Sequence, residues 1–209
     1  MKIIKRFLLK IYRILYRENI KYQIEIQRKQ CCAGEHTVFY ESTAISDSHG
    51  NKENIQIGDY SHIKGELITF GLCGKIIIGK HCYMGPNTHI WAVKGVTIGD
   101  RVLIGPDCYI FDNDVHPIDA ETRHRQFLEI VSIGQPDWVK LNEKEVVIED
   151  DAWIGAGCCI LKGVRIGKGA IIGAGSVVVH DIPSYAIAHG NPAKVSRMIS
   201  NEMKKCLDE

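Results

Sequence analysis

VIEDDAWIGAGCCILKGVRIGKGAIIGAGSVVVHDIP, residues Val147 to Pro183, places an aliphatic side chain at every sixth position: Ile148, Ile154, Ile160, Ile166, Ile172 and Val178. Four residues after each comes a small or branched one: Ala152, Cys158, Val164, Ala170, Ser176 and Ile182. A period of six is neither the 3.6 of a helix nor the two of a strand, so each unit is one short strand plus one corner. Glycine directly after the aliphatic position (Gly155, Gly167, Gly173) suits a corner where a side chain would crowd the backbone or need an unusual φ. Consecutive strand-and-corner units describe a β-solenoid whose rungs bury their aliphatic side chains against the rungs above and below.

The same beat runs upstream. It is met at Ile57-Gly58, Ile78-Gly79, Met84-Gly85, Ile98-Gly99 and Ile104-Gly105, with phase slips between Ile63 and Ile78 and between Ile90 and Ile98. Rungs are expected from Ile55 to Ile110, after a polar lead-in over 31–54 that holds at most a partial rung. The beat stops from Phe111 to about Glu145. A break of that length in a compact domain calls for a function, so the chemistry is sought there first.

Composition sets outer bounds. With 26 Lys and Arg against 25 Asp and Glu in 209 residues, there is no charge-level case for nucleic acid as a partner. No apolar run is long enough to cross a bilayer. The eight cysteines include no CxxC pair, and Cys82, Cys108 and Cys158 fall on the small position of the repeat, which reads as buried fillers in a reduced, cytoplasmic protein.

The ends differ from the middle. Residues 1–30 read as a basic amphipathic helix. Ile4, Phe7, Leu8, Ile11, Ile14 and Leu15 form one stripe, and Lys2, Lys5, Arg6, Lys10, Arg13, Arg17 and Lys21 cover the rest, with Glu18 opposing them. The favoured reading is that the stripe covers the open first rung or a neighbouring subunit. The alternative is that residues 1–22 lie on an anionic membrane surface, making the protein peripheral to its inner face. At the other end Asn191-Pro192 is expected to cap a closing helix over 192–209 that carries Val195, Met198, Ile199 and Met203. The solenoid domain then spans 31–191, with 111–145 extruded.

The extruded segment opens DNDVHPID from Asp112 to Asp119. His116 is a candidate general base, since imidazole titrates near neutrality and a neighbouring acceptor fixes its tautomer. Asp114 and Asp119 are the carboxylates nearest in sequence. Trp138, later in the segment, offers an indole face for stacking on an acceptor or for anchoring the loop.

The hexapeptides, DNDVHPID, DDAWIGAG, IGAGSVV with DIP, and GNPAKVSR together resemble the hexapeptide-repeat acyltransferases, over roughly residues 55–199. The nearest branch holds maltose and galactoside O-acetyltransferases and the acetyltransferases of surface-polysaccharide biosynthesis. The resemblance implies a left-handed parallel β-helix, a homotrimer with sites between subunits, and acetyl-CoA as acyl donor with no metal. His116 matches the catalytic histidine, with Asp114 or Asp119 as its orienting group. Trp153, Gly155, Ala156, Ala174, His180, Lys194 and Arg197 match donor-side positions. At His180 relatives often carry lysine. Where the sugar acetyltransferases place an acceptor-binding asparagine, the nearest positions here are Gly85 and Asn87, two residues out of step.

The resemblance therefore implies an O-acetyltransferase acting on a sugar or glycan hydroxyl in surface-polysaccharide biosynthesis, the alternative being N-acetylation of an amino-sugar nucleotide. Two other classes are weighed. A gamma-type carbonic anhydrase would need three converging histidines from among His62, His81, His89 and His124, and a non-catalytic scaffold would leave His116 and Trp153 without a role.

Overall fold

The structure is a computed structural model that describes residues 2–200, with side chains from residue 4. Three parallel sheets form the faces of a prism, and successive strands step from one face to the next. The first face stacks Cys32–Ala33, Ile55–Ile57, Ile76–Ile78, Val96–Ile98, Val146–Ile148 and Arg165–Ile166. The second stacks Val38–Phe39, His62–Ile63, Tyr83–Met84, Leu103–Ile104, Trp153–Ile154 and Ile171–Ile172, and the third Ala44–Asp47, Glu66–Thr69, His89–Ala92, Tyr109–Phe111, Cys159–Ile160 and Val177–Val178.

The repeated aliphatic positions lie directly above one another. On the first face Ile57, Ile78, Ile98, Ile148 and Ile166 are paired in register, and on the third Ile45, Leu67, Ile90, Ile110, Ile160 and Val178. All eleven are buried, so the core is a stack of branched side chains. Burying each contributes roughly 1.5–3 kcal/mol.

The coil begins earlier than expected. Residues 31–54 form a complete first turn with strands on all three faces. Its inward small positions are Thr37 and Thr43, polar residues that hide the beat. Their hydroxyls donate to Gly58 O (3.1 Å) and Ile63 O (2.5 Å) of the next turn, which is how a hydroxyl can be buried here at little cost.

The extruded segment leaves after Phe111 and returns at Val146, while Ile98 pairs directly with Ile148, so the stack closes beneath it. Part of it is helical. Helix α2 runs from Ala120 to Ser132, where the sequence reading expected irregular loop, with Asp119 as N-cap.

Two expectations for the ends are corrected. In place of the first residues of a closing helix over 192–209, Ala193–Met198 is a strand, antiparallel to Ala186–Gly190, which continues the second face. Ala186–Gly190 would otherwise present a row of unpaired N–H and C=O groups, and a returning strand satisfies them where a helix would not. Residues 201–209, with Met203, lie outside the described residues.

Helix α1 (Lys2–Lys29) forms as expected, but its apolar stripe does not cover the first rung. Contact with the domain comes from its other end. Ile24 packs on the core, Gln27 Oε1 accepts from Ile45 N (2.6 Å) and Arg28 donates to Thr37 O (3.0 Å). The charged stems and apolar side chains from residue 4 to residue 19 stand exposed.

Candidate active site

His116 is held by a short chain of polar contacts. Val115 adopts φ 61°, a left-handed conformation that costs a β-branched residue roughly 1–3 kcal/mol and turns the next side chain back toward the coil. Its N–H donates to Asn113 Oδ1 (2.7 Å), and its carbonyl accepts from Gln126 Nε2 (3.3 Å). Gln126 is fully buried on α2, and its Oε1 lies 2.9 Å from His116 Nδ1. With the amide nitrogen committed to Val115 O, the Oε1 can only accept. Nδ1 therefore carries the ring proton and Nε2 keeps its lone pair, the tautomer a general base requires.

The loop beneath is pinned by carboxylates. Asp112, fully buried, accepts from the backbone N–H groups of Val93, Lys94 and Gly95 at 2.6–3.1 Å and from Asn113 Nδ2 at 2.8 Å. Asp114 pairs with Lys162 of the next turn and accepts from Asn142 (3.3 Å). Asp119 accepts from the Thr122 hydroxyl (2.6 Å) and N–H (2.8 Å), which hold its carboxyl below the usual range. Neither Asp114 nor Asp119 faces the imidazole. The expected orienting carboxylate is corrected to a neutral amide, because both acids are consumed in anchoring the loop and α2.

A cleft of about 360 Å³ opens between α2 and the third face. His116 is on its rim, and Trp91, Ile68, Phe70 and Ile130 form apolar walls, with Ser46 and Ser48 as polar ones. Ser46, Ile68, Trp91 and Phe111 form one outward row across four strands in register. Trp91 stacks on Phe111 at 5.0 Å, and its Nε1–H donates to Glu66 (2.8 Å), which also meets His89 Nδ1 (2.7 Å). An aromatic wall with serine hydroxyls beside the imidazole suits a polar acceptor that has apolar C–H faces.

Other expected residues sit elsewhere. Trp138 is bound to α2, its Nε1 donating to Glu129 (2.6 Å) beneath the Arg125 guanidinium at 4.3 Å, so it anchors the loop and does not wall the cleft. Asn87 occupies a corner with φ 55° and donates to Asp107 (3.1 Å), away from the cleft walls. On the donor side, Trp153 points outward from the second face, 53% exposed. Ala156 and Ala174 are exposed on successive corners, His180 is exposed beyond Val178, and Lys194 and Arg197 are exposed on the last strand. Gly155 has a packing reason of its own, since a Cβ there would lie 2.6 Å from Ala174 N. Small exposed corners followed by two cations fit a pantetheine arm and phosphates. None of these donor-side residues lines the His116 cleft within one chain.

Gln126, Trp91, Phe70 and Ile68 escaped the sequence reading. The signal for Gln126 was the Asp119 cap ahead of a helical run containing Phe127 and Ile130. The other three carried none beyond strand alternation.

Cys31, Cys82, Cys108 and Cys158 are buried packing groups, whereas Cys32 and Cys73 are exposed; the bond with Cys108 lowers Cys158 to about 7, yet its thiol is buried and turned onto Gly173 O. Burial pushes Cys31 up to about 11 and raises Cys82, so neither is a ready nucleophile. Among the described residues no three His, Cys, Asp or Glu side chains are grouped to hold a metal ion. His62 bonds Tyr40 on the second face, His81 stacks on Tyr60 at a corner, His89 is on the third face and His124 on α2.

Comparison with known proteins gives matches along the coil. The family model for the bacterial transferase hexapeptide (six repeats) matches residues 145–180, and that for the hexapeptide repeat of succinyl-transferase matches 75–111. The galactoside O-acetyltransferase of Escherichia coli (strain K12) is 34% identical over 174 residues, which cover 80% of this chain and 79% of that one. The galactoside O-acetyltransferase of Lactococcus lactis is 38% identical over 154 residues, 74% of this chain and 64% of that one. The chain spans 53% and 58% of the length of two yeast relatives. The crystal structure of a mutant of AntD, an N-acyltransferase from Bacillus cereus, in complex with dTDP-4-amino-4,6-dideoxyglucose and coenzyme A, shares the fold, with a TM-score of 0.68, 18% identity and coverage of 89% of this chain and 93% of that one.

Proposed function

The chain belongs to the hexapeptide-repeat acetyltransferase family, and from that membership we propose that it transfers an acetyl group from acetyl-CoA to a hydroxyl of a sugar or glycan intermediate. The observation that carries this reading is the Gln126–His116 pair, which leaves Nε2 unprotonated at the rim of an aromatic-walled cleft. Acetyl-CoA supplies the activated thioester carbonyl. His116 Nε2 takes the acceptor hydroxyl's proton as its oxygen bonds to that carbonyl carbon; when the C–S bond breaks, the proton passes from the imidazole to the leaving thiolate. No acyl-cysteine step is needed, and none of the cysteines among the described residues lines the His116 cleft.

The coil, in this reading, is a left-handed β-helix. The cleft and the donor-side residues occupy different parts of one chain, which supports a homotrimer whose sites are completed across subunits. Surface-polysaccharide biosynthesis in the cytoplasm is the setting proposed. The galactoside O-acetyltransferase relatives favour a hydroxyl acceptor over the amine of an amino-sugar nucleotide, though the same base would serve either.

The test is thermal unfolding with acetyl-CoA, CoA and ATP, followed by turnover of His116→Ala. At about 100 times its Kd a ligand specific for the folded state adds roughly 2.7 kcal/mol, a clear upward shift, expected for acetyl-CoA and CoA but not ATP. His116→Ala should keep that shift and lose roughly two to four orders of magnitude in kcat on a sugar hydroxyl acceptor. Retention of most of the activity overturns the assignment.

A further inference from the structure

Helix α1 carries a mixed stripe and an apolar stripe on opposite sides. Tyr16, Ile20, Ile24 and Gln27, spaced by four, four and three, define the side that meets the domain: Tyr16 OH bonds Glu41 (2.5 Å), Ile24 packs on the core, and Gln27 accepts from Ile45 N. Ile4, Phe7, Leu8, Ile11, Ile14 and Leu15 define the other. At about 100° per residue the two stripes are centred roughly 175° apart. The longer stripe therefore faces away from the domain, with Ile4, Phe7, Leu8 and Leu15 each keeping 58–65% of their surface exposed.

We propose that this stripe is the contact surface for an anionic lipid bilayer, with α1 lying in the interface and the coil held above it on the water side. The charge distribution selects this occupant. Lys5, Arg6, Lys10, Arg13 and Arg17 flank and back the stripe, and no acidic residue is met before Glu18. A basic polar face over a broad apolar one is the pattern of an interfacial helix, and each cation near an anionic leaflet adds to binding. No helix among the described residues is long and apolar enough to cross a membrane, so the helix lies on the surface. A second copy fits less well. Pairing of identical helices would bring like charges together with no acidic partners. The heptad positions Ile4, Phe7, Ile11 and Ile14 run on into Glu18 and Lys21, so a coiled-coil seam ends after two heptads. Leu8 and Leu15 also widen the stripe beyond such a seam.

The experiment is co-sedimentation of the full chain with vesicles containing phosphatidylglycerol and with pure phosphatidylcholine vesicles, at low and high salt. Pelleting with the anionic vesicles that weakens in salt is expected. Phe7→Asp with Ile11→Asp should abolish it, and Lys10→Gln with Arg13→Gln should lower partitioning by roughly thirtyfold. These side chains are exposed, so thermal unfolding should not change, which separates lost binding from lost fold. Absence of pelleting by the wild-type chain, or equal pelleting of the aspartate variant, overturns the proposal. So does an assembly that shrinks in sedimentation equilibrium on the aspartate substitutions while lipid is ignored, which would assign the stripe to a second copy.

Discussion

At the scale of single residues, the site depends on an amide where sequence pointed to an acid. Gln126 is a neutral acceptor, so it fixes which His116 ring nitrogen carries the proton. Gln126→Leu keeps the volume and removes the acceptor. Its kcat should fall by roughly ten- to a hundredfold with the acetyl-CoA shift in unfolding temperature retained, as checked by steady-state kinetics beside thermal scans. A fall in the unfolding temperature that accounts for the lost activity would make Gln126 a packing residue only. His116 was singled out because it lies at the longest break of the repeat, a weak signal by itself, and because DNDVHPID resembles the family's catalytic-histidine motif. Its partner was not, because ten residues of chain separate them and only the turn of α2 brings them to 2.9 Å.

At the scale of elements, the glycines of the repeat answer a question of space. Gly155 and Gly167 are not at positive φ; a Cβ there would sit 2.6 Å from Ala174 N and 2.4 Å from Ser184 N, backbone atoms of the following turn. The left-handed positions come two residues later, at Gly157 and Gly169. Of the two reasons the sequence allowed for a corner glycine, crowding is the one realised. Gly155→Ala should therefore cost roughly 1–3 kcal/mol through forced separation of two turns, read as a lower unfolding temperature at fixed protein concentration. The extruded segment follows the opposite logic. It has no neighbour above or below to set a period, so α2 and its cap were missed.

At the scale of the whole molecule, the turns are tied along their corners by ionic and hydrogen-bonded carboxylates, and these set the acid limit of stability. Hydrogen bonds from Arg101 lower Asp151, and the Thr122 hydroxyl lowers Asp119. Burial alone would raise Asp47, but bonds from Thr69, Asn54 and two backbone N–H groups outweigh it and leave it lowered. Groups with depressed folded values bind fewer protons folded than unfolded, so their contribution is present above about pH 4 and disappears as pH falls through the folded values. At the alkaline end Cys31, pushed up to about 11, withdraws stability as pH rises past about 8.5, where the unfolded thiol ionises first. Unfolding followed from pH 3 to pH 10 should give a plateau between about 5 and 8, falling on both sides. A steady decline from pH 7 to 5 would contradict this.

By itself the sequence determined the coil from Ile55 onward. A six-residue beat admits one way of burying Ile148, Ile154 and Ile160 together, because each rung contacts only its neighbours and local pattern suffices. It also marked the break and the histidine in it. Only the tertiary structure decided which group orients that histidine, that Ser46, Ile68 and Trp91 align as one wall, that Ala193–Met198 returns as a strand along Ala186–Gly190, and that the stripe of α1 faces away from the domain. Apart from that hairpin, each of these joins residues far apart in the chain or fixes a helix's rotation about its axis. Such relations are set by which backbone groups and side chains are left to satisfy once the stack has formed, and no local period records them.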